Sequence, residues 1–154
     1  MKIEVFADAD AVARAAAQYL ATEAKVAIAS RGRFVLAASG GKTPWAMLKA
    51  LAQDHVPWSG LEIVQVDERV APAGHADRNL THIEECLIGP SPLRLEQIHA
   101  MPVDWPDLDA AARDYEATLC RLAGVPPTID LVHLGLGPDG HTASLVPGDP
   151  VLDI

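Results

Sequence analysis

Hydrophobic and polar positions follow one another along this chain in two kinds of block. Short apolar runs bounded by turn residues predict buried strands, whereas longer Ala-rich or amphipathic stretches predict helices. The predicted strands span 2–6, 33–39, 61–66, 96–101 and 129–136, and the predicted helices span 11–30, 44–51, 79–87 and 107–124. The run at 129–136 is the clearest strand pattern of the five.

Capping residues mark the ends of the first two helices. Asp8 or Asp10 can accept a hydrogen bond from the first turn of the first helix, which is expected to end near Gly32. Thr43 is expected to cap the second helix, with Pro44 at its first helical position. The chain therefore passes from a strand through a glycine-rich turn directly into a helix.

The alternation of strands with helices predicts parallel βαβ units, and so a layered α/β sheet flanked by helices. Ligands of such sheets bind in the crevice at the carboxyl ends of the strands. Three of the predicted strand ends carry distinctive loops, whose sequences are SGGKTP, DERVAP and GPDGH. A functional site is therefore expected where these three loops meet.

Length and charge limit the possible partners. A chain of 154 residues is enough for one domain, here residues 1–154, with a substantial core. Its net charge of −9 argues against binding nucleic acid or an anionic membrane, although a small anionic ligand could bind in a local cationic pocket. Two cysteines make no disulfide framework, and no targeting or membrane-spanning pattern is present, so a cytoplasmic protein is expected.

The first loop has the composition of a phosphate-binding turn. Gly40 and Gly41 allow the backbone to approach a ligand closely, Lys42 adds a cation, and Thr43 adds a hydroxyl. The backbone N–H groups and dipole of the following helix would favour an anion at this position. The loop does not match the Walker A pattern, and an ordinary turn that needs small residues explains it nearly as well.

The second loop places Asp67, Glu68 and Arg69 at the end of a strand. In isolation these are most simply solvated charges. Next to another candidate loop, a carboxylate there can position a base, and Arg69 can bind a phosphate or polarise a carbonyl. His75 belongs to the same loop and could reach such a site.

The third loop contains Gly135, Gly137 and Gly140 in the spacing of a dinucleotide fingerprint. We reject that interpretation, because the fingerprint belongs to the first βα turn and is followed about 20 residues later by an acidic residue. What remains is His141, two residues after Asp139. An imidazole can abstract a proton near neutral pH, and the alternative is a structural histidine bonded to the loop.

The remaining histidines give weaker signals. His133 lies inside a predicted strand and is expected to be packed there. No cluster has the spacing of zinc ligands, so no metal site is predicted.

Four segments together resemble the 6-phosphogluconolactonase family of the sugar-phosphate isomerase-like superfamily. They read SGGKTPW, VDERVAPAGHADRNLTH, AARDYEATL and DLVHLGLGPDGHTASLVPG, in the order found in that family. The related glucosamine-6-phosphate deaminases typically have Tyr where this chain has Arg69, and a different sequence after the histidine. The resemblance implies a Rossmann-like parallel sheet.

The resemblance also implies an activity, the hydrolysis of 6-phosphoglucono-1,5-lactone without a metal or organic cofactor. His141 would activate water, and Asp139 and Asp67 would orient or support that histidine. The residues that it implies for binding the substrate and its phosphate are Gly40, Gly41, Lys42, Thr43, Arg69 and Asn79.

Departures from the family pattern concern three side chains and the end of the chain. Members often have Ser in place of Lys42 and of Arg78, and Phe in place of Val146. They also continue past the loop that contains His141, here called the histidine loop (residues 135–145). The fold is therefore expected to lack a C-terminal part that supplies a basic residue. Two alternatives stay open, a glucosamine-6-phosphate deaminase and a non-catalytic sugar-phosphate-binding effector module; the oligomeric state is not assigned.

Overall fold

The longest apolar runs form the centre of a parallel sheet. All five residues of strand β1 are buried, and β1 pairs in parallel with β2 from Phe34 opposite Leu61 to Ala38 opposite Gln65. In this computed structural model, which describes residues 2–153, four strands lie in the order β3-β2-β1-β4. All three strand pairings are parallel, as the alternation of strands and helices predicts.

The elements are named in chain order. The helices are α1 (Ala9–Arg31), α2 (Lys42–Leu51), α3 (Asn79–Ile83) and α4 (Leu108–Ala123), and the strands are β1 (Phe34–Ala38), β2 (Leu61–Gln65), β3 (Ile98–His99) and β4 (Leu131–Val132). A π-helical turn, Glu84–Ile88, continues α3, and short 3-10 turns cover Trp58–Gly60, Leu95–Gln97 and Pro150–Asp153. None of the described helices is long and apolar enough to cross a membrane.

Capping interactions fix the ends of the two longest helices. The Asp8 carboxylate accepts a hydrogen bond of 2.7 Å from the Ala11 backbone N–H, and Gly32 ends α1 in the left-handed conformation at φ 77°. Asp107 caps α4 in the same way through the N–H of Ala110, at 3.0 Å. Carboxylate caps and a left-handed glycine are common solutions for the unpaired groups of helix ends.

The sheet separates two apolar layers. Alternate residues of β1, including Phe34 and Leu36, belong to the larger core, which packs under α1 and α2. Val35 and Ala37 belong to the smaller core on the opposite face, where Tyr115 of α4 packs. A strand that is buried on both faces shows a continuous apolar run instead of alternation, which explains why residues 34–38 are uniformly apolar.

Two predictions near the amino ends of elements are wrong. Residues 2–6 form no strand: they pair with none of the four described strands, and Val5 is almost fully exposed. Thr43 does not cap α2, since the helix already begins at Lys42 and Gly41 occupies the cap position without a side-chain bond. The glycine turn therefore leads into the helix two residues earlier than the Thr-Pro pair suggests.

The strand prediction for 129–136 is also wrong in length. Only Leu131 and Val132 pair with β1, and the N–H of His133 adds one further hydrogen bond, at 2.9 Å, to the carbonyl of Ala37. Pairing stops there because β1 ends at Ala38 and turns into the glycine loop. In the part of the chain that the structure describes, no strand lies beyond β4, and Leu136 is 82% exposed. The predicted strand 96–101 is likewise reduced to Ile98–His99.

Candidate active site

A cleft of about 700 Å³ opens at the carboxyl ends of β1, β2 and β4. The three loops singled out from the sequence all contribute to its walls. The lining residues are 39–45 from the glycine loop, Asp67, Arg69, Ala76, Asp77 and Asn79 after β2, and 133–137, His141 and Ala143 after β4, with Val12 of α1. Eight of the nine residues predicted for the site therefore line one cleft. The ninth, Asp139, contacts His141, which lines it.

The glycine loop brings the start of α2 to the cleft. Gly41 adopts φ 115°, a conformation that side chains rarely tolerate, and the helix begins at the next residue. The unpaired N–H groups of the first turn of this helix carry partial positive charge. Lys42 and Thr43 are both exposed at this end. The loop can therefore offer backbone donors, a cation and a hydroxyl to an anion.

Asp67 connects the second loop to the third. One oxygen of its carboxylate accepts a hydrogen bond of 2.7 Å from the hydroxyl of Ser144, which lies three residues after the loop histidine. Its other oxygen is 3.4 Å from the side-chain amide of Asn79, which also donates to the Asp67 carbonyl at 3.1 Å. The two loops are separated by more than 70 residues in sequence, and this carboxylate links them directly.

Arg69 offers a free guanidinium to the cleft. Its side chain is exposed, and within residues 2–153 no carboxylate lies within ion-pair distance of it. Only its backbone N–H is engaged, by a hydrogen bond of 2.7 Å to Glu68. An unopposed guanidinium is well suited to donate two parallel hydrogen bonds to two oxygens of one anionic group.

The histidine loop holds its imidazole by local hydrogen bonds. Nδ1 of His141 lies 2.5 Å from the carboxylate of Asp139, which also accepts from the backbone N–H of His141 at 3.2 Å. The bond from the ring, followed by that from the backbone, holds the pKa of Asp139 below its ordinary value. An ionised carboxylate only accepts hydrogen bonds, so Nδ1 is the donor in this contact, and a ring whose single proton is on Nδ1 has a lone pair on Nε2.

Close packing against the loop backbone fixes the position of this ring. A side-chain carbon at Gly137 would overlap the imidazole of His141, so glycine is required there by contact and not by its dihedral angles. The N–H of Gly137 donates to the carbonyl of His141 at 2.8 Å, and the hydroxyl of Thr142 donates to the carbonyl of Gly135 at 2.8 Å. The next residue, Ala143, takes the left-handed conformation at φ 50°.

Sequence reasoning missed the role of Glu68. Its side chain has no exposed surface, and its carboxylate accepts hydrogen bonds from residues on both sides of the second loop. Burial opposes ionisation of this carboxyl, but hydrogen bonds from the Gln65 amide and from backbone N–H groups outweigh burial and lower its pKa. Its partners at 79 and 80 lie too far along the chain for local spacing to indicate them.

Two further histidines differ from expectation. His133 was expected to be packed inside a strand, but it follows the end of β4 and is half-buried in the lining of the cleft. Its Nδ1 is buried without a hydrogen-bond partner among the described residues. Burial lowers the pKa of this ring. His75, which the sequence allowed to reach the site, does not line the cleft and lies beside Asp77. Among residues 2–153 no three His, Cys, Asp or Glu side chains form a group that could hold a metal ion.

Comparison with known proteins finds one family model and several relatives that are similar to this chain. A family profile described as "Glucosamine-6-phosphate isomerases/6-phosphogluconolactonase" matches residues 7–153. A 6-phosphogluconolactonase of Streptomyces coelicolor is 37% identical over 97% of this chain and 62% of its own length. A rice protein (Oryza sativa subsp. indica) named probable 6-phosphogluconolactonase 3, chloroplastic, is also 37% identical over 97% of this chain, but over 49% of its own length.

A solved structure gives the same relationship in three dimensions. The 6-phosphogluconolactonase from Trypanosoma brucei superposes with a TM-score of 0.84 at 25% identity, over 96% of this chain and 64% of that one. The chain thus spans between about half and two thirds of the length of these three relatives.

Proposed function

Because the chain belongs to the family of glucosamine-6-phosphate isomerases and 6-phosphogluconolactonases, we propose that it hydrolyses 6-phosphoglucono-1,5-lactone to 6-phosphogluconate. The observation that carries this proposal is the meeting of the three loops in one cleft. The cleft offers donors and cations for a phosphate, and it is also lined by an imidazole whose Nε2 has no hydrogen-bond partner among residues 2–153. The reaction would serve the oxidative pentose phosphate pathway, and a cytoplasmic location stays a prediction from the sequence.

The imidazole is the general base of the proposed reaction. Nε2 of His141 takes a proton from water as the water oxygen bonds to the lactone carbonyl carbon. The bond from that carbon to the ring oxygen then breaks, and the imidazolium returns the proton to the departing oxygen, which becomes a hydroxyl. Asp139 holds Nδ1–H and stabilises the imidazolium formed between the two steps.

Phosphate binding supplies the alignment of the lactone. The start of α2, Lys42 and Arg69 are the groups of the cleft with positive or partly positive charge and no anionic partner among the described residues. A doubly charged phosphate held there fixes the distance of the carbonyl from His141. Binding energy from a part of the substrate that does not react is a general source of rate acceleration.

Substrate choice can be tested with two assays on the same preparation of the protein. We expect hydrolysis of 6-phosphogluconolactone above its spontaneous rate, and no release of ammonia from glucosamine 6-phosphate. The unphosphorylated gluconolactone serves as the matched control and should be hydrolysed much more slowly at equal concentration. Ammonia release with no acceleration of lactone hydrolysis would assign the protein to the deaminase branch of the family instead.

A further inference from the structure

The second loop contains a buried ion pair that takes no part in the proposed chemistry. The carboxylate of Glu68 has no exposed surface, and four N–H groups converge on it. They come from the Gln65 side chain at 2.7 Å and from the backbones of Arg69 at 2.7 Å, Asn79 at 2.7 Å and Leu80 at 2.9 Å. One carboxylate thus joins the end of β2, the start of the loop and the first turn of α3.

Arg78 completes this arrangement. Its side chain is 5% exposed, its Nε lies 3.2 Å from Glu68, and its Nη1 donates to the carbonyl of Ala71 at 2.9 Å. Nε makes the ion pair without the alignment of a hydrogen bond. The arginine therefore closes residues 68–78 into a loop that is held at both ends. A buried charge that lost its partner would be costly, so the two residues depend on each other.

Asn79 extends the influence of this pair to the cleft. Its backbone N–H is one of the four donors to Glu68, whereas its side-chain amide donates to Asp67. The same amide group packs against Gly40 so closely that a side-chain carbon at Gly40 would overlap it. Asn79 is only 8% exposed. It therefore contacts the glycine loop and the second loop, and Asp67 carries the connection on to Ser144.

We propose that the Glu68–Arg78 pair positions the active site, by holding Asn79 where its amide keeps the glycine loop and Asp67 in place. Asn79 then acts as a positioning residue and not as a ligand of the phosphate. The inference rests on the proposed function for its catalytic meaning, because the loops that it aligns are those assigned to the phosphate and to the general base.

A purely structural role is the competing explanation, since removal of any buried polar partner destabilises a protein. Gln97 supplies the matched control. Its side chain is buried and donates to the carbonyls of Trp58 at 2.7 Å and Leu61 at 2.6 Å, at the opposite end of β2 from the cleft. A Gln97→Leu variant should lose stability but leave the three loops unchanged.

The test compares binding of 6-phosphogluconate by Glu68→Gln, Asn79→Ala and Gln97→Leu, each measured well below its thermal midpoint. We expect the first two variants to bind roughly tenfold to a hundredfold more weakly, because misplaced groups lose most of their contribution. Gln97→Leu should bind as the parent does. If Glu68→Gln does not fold, Asn79→Ala carries the test. Equal losses in all variants of equal stability would overturn the proposal, and so would unchanged binding in Asn79→Ala.

Hydrogen exchange on the ligand-free chain separates this proposal from the proposed function. Asn79→Ala should speed exchange at residues 40–43 and at Ser144, whereas Gln97→Leu should not. If the parent chain fails to bind 6-phosphogluconate, the proposed function is wrong, yet faster exchange at those two places still supports the positioning role. Exchange there at the parental rate would overturn it, whatever the ligand.

Discussion

The glycine loop and the histidine loop, which both line the cleft, are supported in opposite ways. The glycine loop follows β1, a strand buried along its whole length between two apolar layers. The histidine loop follows β4, which pairs over two residues at an edge of the sheet. Its own leucines are exposed, and hydrogen bonds within the loop, together with one from Ser144 to Asp67, define its shape.

In the proposed reaction, phosphate binding therefore belongs to the loop that follows a buried strand, and proton transfer belongs to the exposed histidine loop. A phosphate site works through fixed donors, and the buried core fixes the start of α2. The proposed general base needs only one correctly oriented ring, and Asp139 and Gly137 provide that locally. Mutations in the core should therefore act mainly through stability, whereas mutations in the histidine loop should act mainly through rate.

The largest effect is expected for His141→Ala. Loss of the general base should lower the lactonase rate by about 10²–10⁴-fold, with the thermal midpoint almost unchanged because the ring is 39% exposed. Rates are compared after the spontaneous hydrolysis of the lactone is subtracted. His55→Ala, at an exposed position outside the cleft, is the matched control and should keep the parental rate. A His141→Ala variant with nearly full kcat would assign the base elsewhere.

For the free energy of unfolding, we expect the larger effect in β1 and the smaller effect in the histidine loop. Leu36→Ala removes a fully buried side chain from β1, which should lower the free energy of unfolding by about 2–5 kcal/mol. Leu136→Ala makes the same chemical change at a position that is 82% exposed, and it should cost less than about 0.5 kcal/mol. Denaturant unfolding of both variants measures the difference. Similar losses in the two would mean that the histidine loop is packed as firmly as β1.

Arg69→Ala should separate recognition of the phosphate from recognition of the sugar. Because the guanidinium is exposed and unopposed by any carboxylate of residues 2–153, its loss should weaken 6-phosphogluconate binding by roughly tenfold. Binding of unphosphorylated gluconate should change much less. Calorimetry with both ligands decides this, and Arg94→Ala, outside the cleft, is the control. Equal losses for both ligands would move Arg69 from the phosphate to the carboxylate or the fold.

The smallest effect concerns pH. The pKa of Glu68 is lower in the folded chain than its ordinary value of 4.5, so its ionised form stabilises the fold above that pH. This contribution is lost as the pH falls through the lower folded pKa. The stability difference between the parent and Glu68→Gln should therefore be largest above about pH 4.5 and shrink in more acidic solution. A difference that stays constant down to the lowest folded pH would contradict the lowered pKa.

The sequence predicts the buried elements α1, β1 and β2 better than it predicts β4 and the histidine loop. Asp8 and Gly32 mark both ends of α1, and the apolar runs at β1 and β2 lead to paired strands because both are buried on two faces. The run at 129–136 also has strand-like apolar positions, although Asp130, His133 and Gly135 interrupt them, and only two of its residues pair with β1, which ends at Ala38. Apolar character alone does not tell how far a partner strand extends.

The site shows the same limit. The three loops could be placed at one edge from the order of strands and helices, since parallel strands bring their carboxyl ends together. The contact of Gly40 with Asn79 and the burial of Glu68 depend on residues distant in the chain. Neither periodicity nor motif spacing carries that information, so the polar framework beneath the cleft was not predicted.

The most direct test of a single sugar-phosphate site is a titration of the 154-residue chain with 6-phosphogluconate, followed by amide resonances in NMR spectra. Signals from residues 40–43, from Arg69 and from residues 137–141 should all shift, and one Kd should describe them together. Inorganic phosphate should move the first two groups and leave the third unchanged. If the histidine-loop signals do not respond at ligand concentrations that saturate the glycine loop, the three loops do not form one site.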